Sequence, residues 1–181
     1  MVALLEELNK DFRLKVIDLI QACYKRGVPI VPFCAYRDLF KQAILWRQSR
    51  KWVQIIREIT LLEDTGISFI ASIIRVVGPH IGPAQHITNA IPGLSWHQYR
   101  EAVDCYILKR GQAVWDPNDN GYKIYREEGL KLGMAIGAED DWCHLQSSPN
   151  RVVDVYGSMA NINNTMLIRH VQDIYKMIAE L

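Results

Sequence analysis

The chain has 181 residues, 49% of them hydrophobic and 23% charged, the composition of a soluble globular protein with enough apolar material for one core. Its 21 basic and 20 acidic side chains nearly cancel, so no strong field draws it to nucleic acid or to an anionic membrane, and a tightly chosen substrate fits better than a polyanion. The longest uncharged apolar run, Ile67 to Ile74, falls far short of the roughly 20 residues that cross a bilayer, so no membrane insertion is expected.

Met1 to Asn9 carries Glu6 and Glu7 in place of the basic start and apolar run of a secretory signal, so no such signal is expected. From Leu4 to Tyr24 apolar residues recur at three and four positions (Leu5, Leu8, Phe12, Val16, Leu19, Ile20), which predicts one amphipathic helix ended by Gly27 and Pro29. Pro29 to Cys34 is short, β-rich and bracketed by prolines, an edge strand leading into Ala35-Tyr36-Arg37. Helical spacing returns over Leu39 to Trp46, Trp52 to Leu62 and Ile67 to Val77, and the glycine- and proline-rich passage from Gly78 to Gly93 reads as a loop.

Ala102 to Leu108 has strand character, and Asp116 to Gly121 is a dense run of turn residues. Tyr122 to Leu132 is helical, His144-Leu145-Gln146 reads as a second short strand, and Thr165 to Leu181 closes the chain as a helix with Leu167, Val171, Ile174 and Ile178 on one face. Helices and short strands alternate without a βαβ rhythm, so the class is α+β: an antiparallel sheet with packed helices in a single domain, 1–181. The four cysteines form no CxxC pair and sit in segments that otherwise read as core, which makes them buried free thiols.

A catalytic zinc ion takes three protein ligands and leaves a fourth position open. Of the five histidines, His97 lies in Ser95-Trp96-His97 with Asp104 seven positions on, and His144 lies in Asp141-Trp142-Cys143-His144. On spacing alone, a surface histidine and a capping aspartate is the commoner explanation of the first pair. The surrounding pattern alters that weighting. The stretch Ile87 to Asp104, with its Asn89-Ala90, Gly93 and Ser95, resembles the SxHxxGxAxD region of the L-alanyl-D-glutamate endopeptidases and D-alanyl-D-alanine carboxypeptidases of the hedgehog/D-Ala-D-Ala peptidase fold, phage endolysins among them.

The resemblance implies that His97 and Asp104 are zinc ligands. Asp141-Trp142-Cys143-His144-Leu145-Gln146 is similar to the family's closing element, with Cys143 where proline is usual, and implies His144 as third ligand and Asp141 as general base. Tyr36-Arg37, with Gln42 downstream, resembles the family's Tyr-Arg-x-x-x-x-Gln element, implying that Arg37 orients the substrate and supports the developing oxyanion. Gln42, Ser95, Trp96 and Trp142 complete the implied substrate contacts.

The motif-bearing core runs over about 29–146, with extra helical sequence over about 47–85 where short members have a brief loop. Arg100 stands where the signature has glycine, a position that usually needs a special torsion or a close approach. His80 and His86 read as loop residues and His170 as a residue of the last helix; Trp46, Trp52 and Trp115 could line a sugar or peptide groove, but at helical or strand spacing they read as core. The implied reaction is zinc-dependent hydrolysis of an amide in the peptidoglycan stem peptide, L-Ala-D-Glu cleavage being favoured. D-Ala-D-Ala carboxypeptidase activity and a non-catalytic zinc-binding module of the same fold are the alternatives. Such a substrate lies outside the cytoplasm, which implies release by phage lysis or export by a dedicated machine.

Overall fold

The computed structural model describes residues 2–48, 50–77 and 87–180. In chain order its elements are α1 (Val2–Glu6), α2 (Lys10–Lys25), β1 (Ile30–Cys34), α3 (Leu39–Arg47), α4 (Trp52–Asp64), α5 (Ser68–Val76), a 3-10 turn (Trp96–Tyr99), β2 (Ala102–Lys109), β3 (Gln112–Val114), α6 (Asn120–Lys131), β4 (His144–Gln146), α7 (Val152–Tyr156) and α8 (Met159–Ala179). The mixture of helices with an antiparallel sheet is the α+β class that the sequence predicts. The chain divides into two compact units, Met1–Arg37 with Trp96–Pro149, and Asp38–Ser95 with Asn150–Leu181.

The first unit holds the sheet. β2 is its central strand, pairing antiparallel with β1 along one edge and with β3 and β4 along the other. Strand side chains alternate between faces, and Val103, Cys105 and Ile107 of β2 join Leu145 of β4 in a core filled by Phe12, Val16, Leu19 and Cys23 of α2 and by Tyr122 and Tyr125 of α6. The opposite face, carrying Asp104 and Tyr106, is left for other work. Asn9 divides the single N-terminal helix expected from the sequence: its side chain accepts the Phe12 N–H at 2.8 Å and so caps α2. β3 has no counterpart in the sequence reading. It forms because Arg110 and Gly111, at φ 51° and 78°, turn the chain back in two residues between the paired Lys109 and Gln112.

The second unit is helical. Its core draws on Ala43 and Trp46 of α3, Ile55 and Ile59 of α4, Ile70, Ile73 and Ile74 of α5, and Ile162 and Met166 of α8. Arg47 is buried and its guanidinium donates to the Ile74 carbonyl at 2.8 Å, while Asn163 accepts the Ile70 N–H at 3.0 Å. α8 begins six residues before the expected helix because Ser158 caps it, accepting the Asn161 N–H at 3.3 Å. Leu167, Val171, Ile174 and Ile178 share a face as predicted, yet all are exposed; the buried part of α8 ends at Met166. No described helix is long and apolar enough to cross a membrane.

Candidate metal centre

The centre is a row of side chains crossing three strands. Cys34 of β1 and His144 of β4 are both Cα partners of Asp104 on β2, so all three project from the face of the sheet opposite the core. His97 reaches the same carboxylate from the 3-10 turn just before β2. Its Nε2 lies 3.2 Å from Asp104 Oδ1, His144 Nδ1 lies 2.9 Å from that same oxygen, and the two rings meet edge to face at 5.0 Å.

The outer nitrogens of both rings are already committed. His97 Nδ1 lies 2.7 Å from the Ala35 carbonyl, which can only accept, so this nitrogen carries a hydrogen and, when the ring is neutral, Nε2 presents its lone pair inward. His144 Nε2 lies 3.0 Å from Gln146 Oε1, and the Gln146 amide is oriented by its own donation to the Ser148 carbonyl at 2.5 Å. That leaves His144 Nδ1 facing inward too. Two imidazole nitrogens therefore meet on one buried carboxylate oxygen, a contact that protons on the rings satisfy as hydrogen bonds and that, with both rings neutral, presents three acceptors to a metal cation. Zinc fits this donor set of two nitrogens and one oxygen, each held in orientation by a partner behind it.

With protons alone in that place, charge is strongly displaced. Burial disfavours a charged His97, but the attraction and hydrogen bond of Asp104 outweigh it and push the imidazole up to about 10. Burial likewise disfavours an ionised Asp104, but the two histidines hold it far below the usual carboxylate range. Arg37 opposes the rise of His97 by its like charge, and its Nη2 donates to Asp104 Oδ2 at 3.2 Å and to Cys34 Sγ at 3.5 Å. Arg37 is thus anchored on the back of the Asp104 carboxylate, and its N–H donates to the His97 carbonyl at 3.4 Å.

Asp141 stands at the solvent edge of the cluster. Its ligand oxygen, with those of Asp104 and the Cys143 thiol, falls in a group whose atoms lie within 4.8 Å of one another; Cys34, His97 and Asp104 form a second such group. Protein packed behind the Asp141 carboxyl raises its affinity for a proton, with the nearby Asp104 charge acting in the same direction. The same surroundings push the Cys143 thiol far up, burial first and then the two carboxylates. Two of the four cysteines thus differ from the buried thiols expected: Cys34 and Cys143 are half-buried beside the centre, whereas Cys23 and Cys105 are core.

The remaining expected residues divide. Trp142 is half-buried and packs edge to face on Tyr122 at 4.4 Å, and Trp96 is buried against Tyr99. Gln42 and Ser95 belong to the second unit, where Gln42 is buried and donates to the Ala90 carbonyl at 2.7 Å, bracing the segment that leads into the signature. His170 is half-buried between Phe40 and Phe69, and His80 and His86 lie outside the described residues. Gln146 ends the Asp141-to-Gln146 motif, and its orienting contact to His144 is visible only in three dimensions. Gly137 closes against the same pair: a Cβ there would lie 3.0 Å from both Gln146 Oε1 and His144 Cδ2.

Arg100 keeps the torsion that the signature glycine implies, at φ 62°. Its guanidinium donates to the Glu7 carbonyl at 2.9 Å and lies 4.2 Å over the Tyr36 ring, while its N–H reaches the His97 carbonyl at 3.2 Å. The turn between His97 and Asp104 is therefore preserved with a side chain present.

Residues 5–128 match the family model VanY, D-alanyl-D-alanine carboxypeptidase. Among solved structures the chain is similar to a mutant of the vancomycin resistance D,D-pentapeptidase VanY from a VanB-type resistance cassette in complex with Zn(II), at 15% identity and a TM-score of 0.47, covering 86% of this chain and 83% of that one. No curated protein sequence matches.

Proposed function

We propose a specific cleavage for this chain, which belongs to the VanY family of D-alanyl-D-alanine carboxypeptidases and is by that membership a zinc-dependent peptidase acting on the peptidoglycan peptide: hydrolysis of the L-Ala-D-Glu amide of the stem. His97 Nε2, Asp104 and His144 Nδ1 hold the ion. When bound there, zinc supplies Lewis-acid polarisation of the scissile carbonyl and lowers the pKa of water. Asp141 takes the proton from the attacking water and delivers it to the departing amine; the water oxygen joins the carbonyl carbon, the C–N bond breaks, and the base is restored. Its raised proton affinity suits both halves of that transfer. Arg37 holds Asp104 in place and brings positive charge next to the carbonyl oxygen on which negative charge develops. Trp142, directly after Asp141, walls the substrate.

The observation that carries this reading is the convergence of two inward-facing imidazole nitrogens on Asp104 Oδ1, with both outer nitrogens already engaged. The preference for L-Ala-D-Glu rests on the resemblance of the Thr88-Asn89-Ala90 run and the signature after it to the endopeptidase branch. The family description favours a second reading, removal of the terminal D-Ala. Mass spectrometry of peptidoglycan digested by the purified protein separates the two. New D-Glu amino termini are expected, dependent on about one equivalent of zinc that is lost in His97→Ala or His144→Ala, and product is lost with zinc retained in Asp141→Asn. Release of D-Ala alone selects the carboxypeptidase; zinc bound without any product makes the chain a binding module.

A further inference from the structure

The sheet face that carries Asp104 continues into a group of aromatic rings that the proposed hydrolysis does not use. Tyr106 is two residues beyond Asp104 on β2 and so projects from the same face, about 7 Å along the strand. Phe33 sits at the irregularity in the β1–β2 pairing between Pro32 and Cys34, and this extra residue lets both Phe33 and Cys34 be accommodated opposite Asp104 and its neighbours. The Phe33 ring lies 6.2 Å from Tyr106 and packs edge to face on Trp115 at 5.1 Å; Trp115 lies 5.3 Å from Tyr106 and 6.3 Å from Trp142, which follows Asp141. The rings thus run without a gap from the candidate base outward.

Phe33 is 41% and Trp115 51% exposed. Large rings left open together, next to a reaction centre, mark a binding surface rather than core. The turn directly after Trp115 adds exposed polar groups: the Asp116 carboxylate, whose Oδ1 accepts from the Asn118 N–H at 3.0 Å and from the Asn118 side-chain amide at 3.2 Å, and that amide itself. Flat apolar faces bordered by a carboxylate and an amide suit the C–H face of a pyranose with its hydroxyl and acetamido groups at the rim.

We infer that Phe33, Tyr106 and Trp115 form a sugar-stacking subsite that binds the N-acetylated glycan strand from which the stem peptide hangs. This rests on the peptidoglycan reading above and deepens it. The distance also bears on which bond is cut. In the L-Ala-D-Glu case one amino acid and the lactyl ether separate the sugar from the scissile amide, a reach of about 7 Å at 3.3–3.6 Å per extended residue. Four residues intervene in the D-Ala-D-Ala case, a reach of about 14 Å before the lactyl group is counted. A subsite starting about 7 Å from Asp104 matches the shorter reach.

The test uses the zinc-loaded full chain with two probes, tetra-N-acetylchitotetraose for binding and a pair of substrates for hydrolysis, a muropeptide and the same stem peptide without its sugar. The tetrasaccharide is expected to quench indole fluorescence, with an affinity at least about tenfold weaker in Trp115→Ala and largely restored in Trp115→Phe. Trp115→Ala and Phe33→Ala are each expected to raise KM for the muropeptide by about tenfold with kcat unchanged, and to leave the sugar-free peptide unaffected. Equal loss on both substrates, or tetrasaccharide binding that is absent or indifferent to Trp115, overturns the subsite. Tetrasaccharide binding that depends on Trp115 in a chain cleaving neither substrate upholds it while removing the peptidase reading.

Discussion

Replacing Gln146 by methionine tests whether the metal centre depends on its outer partners. The change keeps length and burial, and it keeps the two backbone bonds between residue 146 and Ala135, at 2.7 and 2.9 Å. What it removes is the acceptor that faces His144 Nε2 at 3.0 Å among the described residues, together with the amide's own donation to the Ser148 carbonyl. Losing a neutral hydrogen bond costs about 0.5–1.5 kcal/mol, and leaving a buried N–H without an acceptor costs about 1–3 kcal/mol. Ligation through Nδ1 requires the hydrogen to stay on Nε2, so most of this cost falls on the metal-bound form. The expected result is zinc affinity weakened about 10–100-fold, or about 1.4–2.7 kcal/mol. Competition against a chromogenic chelator at fixed pH measures it, with circular dichroism as the check on folding. A folded Gln146→Met variant whose affinity stays within about twofold of wild type would show that the imidazole is oriented by something else, and the argument from committed outer nitrogens would fall with it.

Three further outcomes follow from the same contacts. Without metal, His97 keeps its proton until about pH 10, while ligation requires the neutral ring; zinc binding near pH 7 is therefore expected to expel a proton, with apparent affinity rising toward tenfold per pH unit between about pH 6 and 9. Calorimetry in buffers of different ionisation enthalpy counts that proton, and a count of zero contradicts the pairing. Arg100→Ala keeps a β-carbon at φ 62° but gives up the Glu7 and Tyr36 contacts, so it is expected to lose about 1–2 kcal/mol in denaturant titration, and Arg100→Gly, freed of the torsional cost, about 1 kcal/mol less. Arg100→Ala proving the more stable of the two refutes the trade. Gly129→Ala would drive a methyl into Leu145 Cδ1, in the core directly behind His144, and is expected to cost about 1–3 kcal/mol; an unchanged melting temperature would show that α6 and β4 can part there without penalty.

The longer helices, the two strands that bear the candidate ligands and the α+β class were legible because each depends on periodicity over neighbouring residues, whereas the five-residue α7 and the break at Asn9 that separates α1 from α2 are too short to show one. The candidate ligands were legible because their motifs are local, Ser95 to Asp104 and Asp141 to Gln146. The row Cys34–Asp104–His144 is different in kind: it is set by the pairing register of strands far apart in the chain, and the irregularity at Phe33 decides which β1 side chain reaches Asp104. No pattern within a single segment encodes it, and so Cys34 and Cys143 read as core thiols and Trp115 as a core ring. β3 escaped notice because Arg110 occupies a left-handed turn position where asparagine or glycine would have signalled a hairpin.

Arg100 presents the same left-handed torsion with a different history. There the family's glycine was expected, and the question was whether a side chain could be borne. The turn from the His97 carbonyl into β2 demands φ near 60° whatever residue stands in it, because residue 100 must accept the Asn9 N–H at 3.0 Å while donating to His97 at 3.2 Å. A glycine meets that demand by having no β-carbon. Arginine meets it by reaching out of the turn to the Glu7 carbonyl and the Tyr36 face, which offsets a torsional cost of about 1–2 kcal/mol with one hydrogen bond and one cation–π contact of similar size. The departure from the signature is therefore confined to the side chain, and the backbone that spaces His97 from Asp104 is the part that the metal site requires.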